Sequence, residues 1–119
     1  MCVMELLNEL RALGVDVDDG VKRIMGNEKL YRKLLGSYVK MVESQSVDLE
    51  FDSSDCTAIT ERVHAIKGTA GNLSITPVYE AYSEALGLLR NGQPEEARAV
   101  LRKVQPVQEE ILSCIKDSM

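Results

Sequence analysis

The chain lacks a basic run, a C-x-x-C pair, an apolar stretch of membrane-spanning length and a leader-like start. Each absence removes a class of function. Lys and Arg number 14 against 19 Asp and Glu, a formal net charge of −5, and the pI is about 4.9. An acidic chain without a basic patch is repelled by phosphate backbones and anionic headgroups, so neither nucleic acid nor a membrane is an expected partner. The same charge favours a soluble monomer. Cys2, Cys56 and Cys114 are odd in number and far apart, which argues against a disulfide framework or a zinc site and fits reduced thiols. No apolar run approaches the ~18 residues that a bilayer span needs. The start MCVMELLNEL has no basic segment and reaches Glu5 early, so no signal peptide is expected and the expected location is cytoplasmic.

What remains is 119 residues of which 45% are hydrophobic. That is enough for one domain, residues 1–119, around one modest core. It is too little for a nucleotide-binding lobe plus a substrate lobe, so a self-contained kinase is not expected.

Strand signals are sparse, the best being the short, isolated Ser46 to Phe51, and there is no repeat or low-complexity segment. The chain reads as helices. Met1 to Leu13 is amphipathic and stops at Gly14. Asp16 to Met25 follows, with Asp16, Asp18 and Asp19 near its positive end. Asn27 is placed to cap a long helix running to about Val42, with Leu30, Leu34, Tyr38 and Met41 on its inner face. Gln45 to Ser53 is a loop. From about Ser54 to Leu73, the residues Cys56, Ile59, Val63, Ile66, Ala70 and Leu73 recur at steps of three and four, a clean buried stripe.

Thr76-Pro77 reads as a cap followed by Pro at the first helical position. That helix buries Val78, Tyr82, Ala85, Leu86 and Leu89 and ends at Asn91-Gly92. A last helix runs from near Pro94 to about Lys116. Pro106 has no N–H for the Arg102 carbonyl, which predicts a kink or a break into two helices. The expected fold is all-α, an antiparallel up-and-down four-helix bundle with two short additional N-terminal helices.

The single histidine is His64. At ~100° per residue, the buried stripe centres roughly 130° away from it, so His64 faces solvent or a partner. Thr60, Glu61, Lys67, Gly68 and Gly71 share its face. Two glycines inside one helix each cost ~1 kcal/mol relative to Ala. Gly68 at i+4 and Gly71 at i+7 leave bare backbone beside the ring where a large partner can come close. Tight packing of another helix against these glycines is the plainer reading of them. Lys67, at i+3, can reach the outer edge of the imidazole and would stabilise an added phosphoryl group. Alone, it would read as a solvated surface lysine. An imidazole titrates near ~6.5, so a neutral ring nitrogen is available as a nucleophile at neutral pH. The partner of the other ring nitrogen is not specified; Glu61 shares the face but reads equally as a surface carboxylate.

The segment His64-Ala65-Ile66-Lys67-Gly68-Thr69-Ala70-Gly71-Asn72-Leu73 resembles the signature helix of histidine-phosphotransfer (HPt) domains of two-component phosphorelays. Gly14-Val15-Asp16-Val17, Gly26-Asn27-Glu28-Lys29-Leu30-Tyr31 and Glu84-Ala85-Leu86 resemble the flanking parts of that family more loosely. Ser74 departs from it, since many members have Gly there; this alters how the helix ends.

The resemblance implies a four-helix bundle in which His64 accepts a phosphoryl group, Lys67 steadies it and Gly68 gives clearance to the partner. Gly71, Thr60 and Glu61 would belong to the docking surface. The implied partners are response-regulator receiver domains and a sensor histidine kinase. The chain itself would hold no cofactor or metal, with Mg²⁺ on the receiver. It would be a phosphotransfer intermediate without an ATP site. Two other readings compete. Glu61-Arg62-Val63-His64 matches the Glu-x-x-His of carboxylate-bridged metal bundles, but such sites need two of these motifs facing inward. A non-catalytic helical adaptor would use the same bundle to bind receiver-type partners.

Overall fold

The computed structural model describes residues 3–45, 47 and 49–117. It holds six α-helices: α1 (Val3–Ala12), α2 (Val17–Arg23), α3 (Glu28–Ser44), α4 (Thr57–Asn72), α5 (Thr76–Arg90) and α6 (Pro94–Asp117). Among the described residues there is no strand. Val47 and residues 49–51 are irregular or turn, and Ser46 and Asp48 lie outside the described residues, as do Met1 and Cys2 at the expected start of the first helix.

Local chemistry sets most of the boundaries. Asp16 accepts from the Asp19 N–H at 3.2 Å and starts α2. Asn27 accepts from the Leu30 N–H at 3.0 Å and starts α3. Gly14, with φ +95°, ends α1 in the left-handed region that glycine enters without strain. Helix α4 begins at Thr57 rather than Ser54, because Asp52 accepts both the N–H and the O–H of Ser54 and folds that stretch into a turn. The cap of α5 is Ile75, not Thr76, and Pro77 falls one position later than expected. The Ile75 side chain is fully buried, its N–H is bound to the Ala70 carbonyl at 2.9 Å, and the Thr76 hydroxyl turns back to the Ser74 carbonyl. Helix α6 runs unbroken through Pro106, which sits on its exposed side.

Helix α5 packs along both α4 and α6; α3 meets α4 and α6, α1 rests on α6, and α2 touches α1 and α3. In α4, Ile59, Val63, Ile66 and Ala70 are buried, and Leu73 just beyond joins them, while Cys56 is half-buried at the margin. All five residues expected on the inner face of α5 are buried. Helix α3 is turned from its expected orientation. It buries Tyr31, Leu35, Tyr38, Val39 and Val42, and leaves Leu30 exposed and Leu34 and Met41 half-buried. Tyr38 is buried as expected, and the turn brings Tyr31 in with it. Tyr31 donates to the Leu73 carbonyl at 2.7 Å. Tyr38 accepts from the Gln108 amide at 3.4 Å, and that amide's oxygen takes the Tyr82 hydroxyl at 2.8 Å. A phenol with a partner packs as a large apolar ring, so the helix can hold both rings inside. Where α2 passes Tyr31 of α3 and the end of α4, its backbone comes close to both. A β-carbon on Gly20 would stand 2.5 Å from the Tyr31 ring and 2.6 Å from the Leu73 carbonyl oxygen.

Candidate functional site

Burial of one face of α4 turns the opposite face outward, and His64 stands on it, exposed. Among the described residues nothing hydrogen-bonds either ring nitrogen. Thr60 (half-buried) and Glu61 (exposed) lie on the same face, and neither bonds to the imidazole. Lys67 is half-buried one turn on, and no ion pair among the described residues engages its ammonium.

The two glycines divide. A β-carbon on Gly68 would meet nothing within 4 Å, so that glycine is open backbone one turn from the imidazole. A β-carbon on Gly71 would stand 2.9 Å from Cδ1 and Cε1 of Tyr79. Gly71 is therefore explained by packing under the Tyr79 ring, and the bare strip beside His64 narrows to Gly68.

Beyond Gly68 the surface dips into a cleft of about 320 Å³ between α4 and the starts of α2 and α5, lined among others by Asp19, Arg23, Ser74 and Tyr79. A second groove, of about 550 Å³, runs on the α3 side of α4 between Ile24, Leu34, Thr69 and Leu73. Met25, 97% exposed, and Leu30 lie on the turn and first turn of helix that precede Leu34. A polar cleft and an apolar groove thus border the helix that carries His64.

Ser74 holds the floor of the cleft in an unusual conformation. Its φ is +55°, a region that costs a residue with a β-carbon roughly 1–2 kcal/mol. Its hydroxyl donates to Asp19 Oδ2 at 2.5 Å, and its carbonyl accepts the Asp16 N–H at 2.9 Å. These bonds tie the end of α4 to the start of α2. The Ser74 hydroxyl, and after it the Arg23 guanidinium at 2.8 Å, hold the Asp19 carboxyl below its ordinary range. Asp19, Arg23 and Tyr79 were not among the residues singled out from the sequence. They come to the site from other helices, and no spacing in the chain announces it.

No group of three or more His, Cys, Asp or Glu among the described residues is placed to hold a metal ion. Glu61 and His64 both point outward, away from any position where a bundle core could bridge them to further carboxylates. No helix among the described residues is long and apolar enough to cross a membrane. Among the described residues neither Cys56 nor Cys114 forms a disulfide, Cys114 donates to the Glu9 carboxylate at 2.9 Å, and Cys2 lies outside the described residues. Burial, together with the adjacent Glu9 carboxylate, pushes the Cys114 thiol up to about 12, which favours the protonated form at neutral pH.

The arrangement offers one exposed imidazole, a lysine one turn away and open backbone at Gly68 on the rim of the cleft. Comparison with protein-family models, with curated proteins and with solved structures gave no match to this chain.

Proposed function

We propose that this chain is a histidine-phosphotransfer domain, with His64 as the phosphoacceptor. The observation that carries the reading is the exposed His64 imidazole with the open backbone of Gly68 one turn away. The resemblance of residues 64–73 to the signature helix of that family supports it. So does the packing of α3, α4, α5 and α6 on one another, which suits the antiparallel four-helix bundle of such domains.

In this reading a receiver domain presents a phospho-aspartate. The lone pair of a neutral imidazole nitrogen attacks phosphorus in line, and a P–N bond forms as the P–O bond to the aspartyl carboxylate breaks. The carboxylate leaves with the bonding pair, and the ring proton is released to solvent. The reverse step regenerates the acyl phosphate on a response regulator. Charge neutralisation and positioning carry such transfers. Mg²⁺ on the receiver supplies most of the former, and Lys67 adds a cation from this side. The chain works in the cytoplasm as a monomer between receiver domains and a sensor histidine kinase.

The test is incubation with a panel of phosphorylated receiver domains. The expected result is acid-labile, base-stable label on this chain, lost in His64→Gln. Label that survives His64→Gln would overturn the assignment. Receiver binding without label would make the chain an adaptor.

A further inference from the structure

We infer that the partner's footprint crosses from α4 onto α5, and that Gly87 is its second clearance position. This rests on the phosphotransfer reading and extends it to a helix that does not carry the histidine. Gly87 lies in the interior of α5, exposed, and a β-carbon there would meet nothing within 4 Å. Its φ lies outside the left-handed region, so backbone conformation does not call for glycine. Other glycines have internal reasons. Gly14, Gly26 and Gly92 have positive φ, Gly20 and Gly71 lie where a β-carbon would come within 3 Å of a neighbour, and Gly36 is buried in α3. Gly68 and Gly87 share the absence of any such reason, and both weaken the helix they sit in.

Register brings them to one place. Helices α4 and α5 are joined by residues 73–75 and pack along each other, so the chain doubles back. Gly71 lies under Tyr79, which fixes one crossing point. His64 lies seven residues before that point on α4, and Gly87 lies eight residues beyond it on α5. Both are displaced by about 10–12 Å in the same direction along the pair. Gly87 is therefore level with His64 on the adjacent helix and, like it, faces outward.

A second local cost lies one turn away. The Ser83 hydroxyl is shut off from solvent without a hydrogen-bond partner among the described residues. Buried hydroxyls in native folds are nearly always partnered. The stretch of α5 opposite His64 thus carries two features that folding alone does not favour, where a body seated on His64 and Gly68 would overhang the neighbouring helix. The occupant is the globular phosphoryl donor itself, because a small donor needs no clearance beyond the ring.

That difference supplies the test. Gly87→Gln is compared with wild type and with Ala99→Gln, which adds the same kind of side chain to an exposed site on α6. Each is labelled by phosphoramidate, a small phosphoryl donor, and by a phosphorylated receiver domain that labels wild type. The expected result is at least a tenfold fall in receiver-dependent transfer in Gly87→Gln only, with phosphoramidate labelling of His64 unchanged in all three. Transfer to Gly87→Gln within twofold of wild type would overturn the inference while leaving the phosphotransfer reading standing. A wild-type chain labelled by neither donor would remove that reading, and the inference with it. Unchanged helical circular dichroism in Gly87→Gln separates a docking defect from misfolding.

Discussion

The ring of Tyr79 covers Gly71 so closely that a β-carbon on the glycine would stand 2.9 Å from two ring atoms. The contact joins α5 to α4 two turns beyond His64. Gly71→Ala should destabilise the fold by about 1–2 kcal/mol, because overpacking outweighs the gain in helix propensity. Gly68→Ala should instead stabilise it by up to ~1 kcal/mol. Urea unfolding of both variants checks the pair. In Tyr79→Ala the Gly71→Ala substitution should become neutral or favourable; a penalty that persists would show that the ring is not its cause.

Gly68→Glu should abolish phosphoryl transfer from a receiver while leaving the unfolding midpoint within about 0.5 kcal/mol of wild type, since the new side chain enters open space. Lys67→Ala should slow transfer or shorten the phosphohistidine lifetime, by about tenfold if the ammonium contributes ~1.4 kcal/mol. Time courses of label with a receiver domain read both effects. Unchanged rate and lifetime in Lys67→Ala would make the side chain an ordinary surface lysine.

Ser74 and Asp19 give a pH dependence whose sign is fixed. The Asp19 carboxyl is held below its ordinary range, first by the Ser74 hydroxyl and then by Arg23. A depressed folded-state value means that its contribution is fully present above the unfolded value near ~3.9 and is lost as pH falls through the folded value. Stability of wild type should therefore decline more steeply in the acid range than that of Asp19→Asn. Ser74→Gly should be nearly neutral near pH 7, because relief of the positive φ offsets the lost hydrogen bond. Ser74→Ala keeps the strain, loses the bond and should cost about 1 kcal/mol.

Gln108 links two buried phenols across the core, taking the Tyr82 hydroxyl and donating to Tyr38. Gln108→Leu should cost roughly 1–3 kcal/mol, because both hydroxyls lose a partner away from water. Burial pushes the Tyr38 phenol up to about 12 and raises Tyr82 as well. A raised folded-state value is stabilising below the unfolded value near ~10 and is lost as pH rises beyond it. Alkaline titration followed by tyrosinate absorbance should show these rings ionising together with unfolding rather than before it.

The sequence exposed the inner faces of α4 and α5 because both are written in aliphatic residues at helical spacing, and these bury wherever a core exists. It placed Tyr38 inside but missed Tyr31 on α3, because a phenol hydroxyl counts against burial until a partner such as the distant Leu73 carbonyl takes it. The outward aim of His64 followed from periodicity alone. The difference between Gly68 and Gly71 did not, because it depends on a ring supplied by another helix. The start of α5 was displaced by one residue because Thr76, a good cap by type, is outweighed by the buried Ile75. Local signals were legible; long-range partners were not.

Helix α4 starts without a side-chain cap of its own. Its approach is fastened from α6, where Arg98 donates to the carbonyls of Leu49 and Phe51 and lies 4.2 Å over the Phe51 ring. The loop that leads into the histidine's helix is thus pinned by a guanidinium more than forty positions downstream of it. Removing that guanidinium would loosen the entry to α4 while leaving every residue of the helix in place.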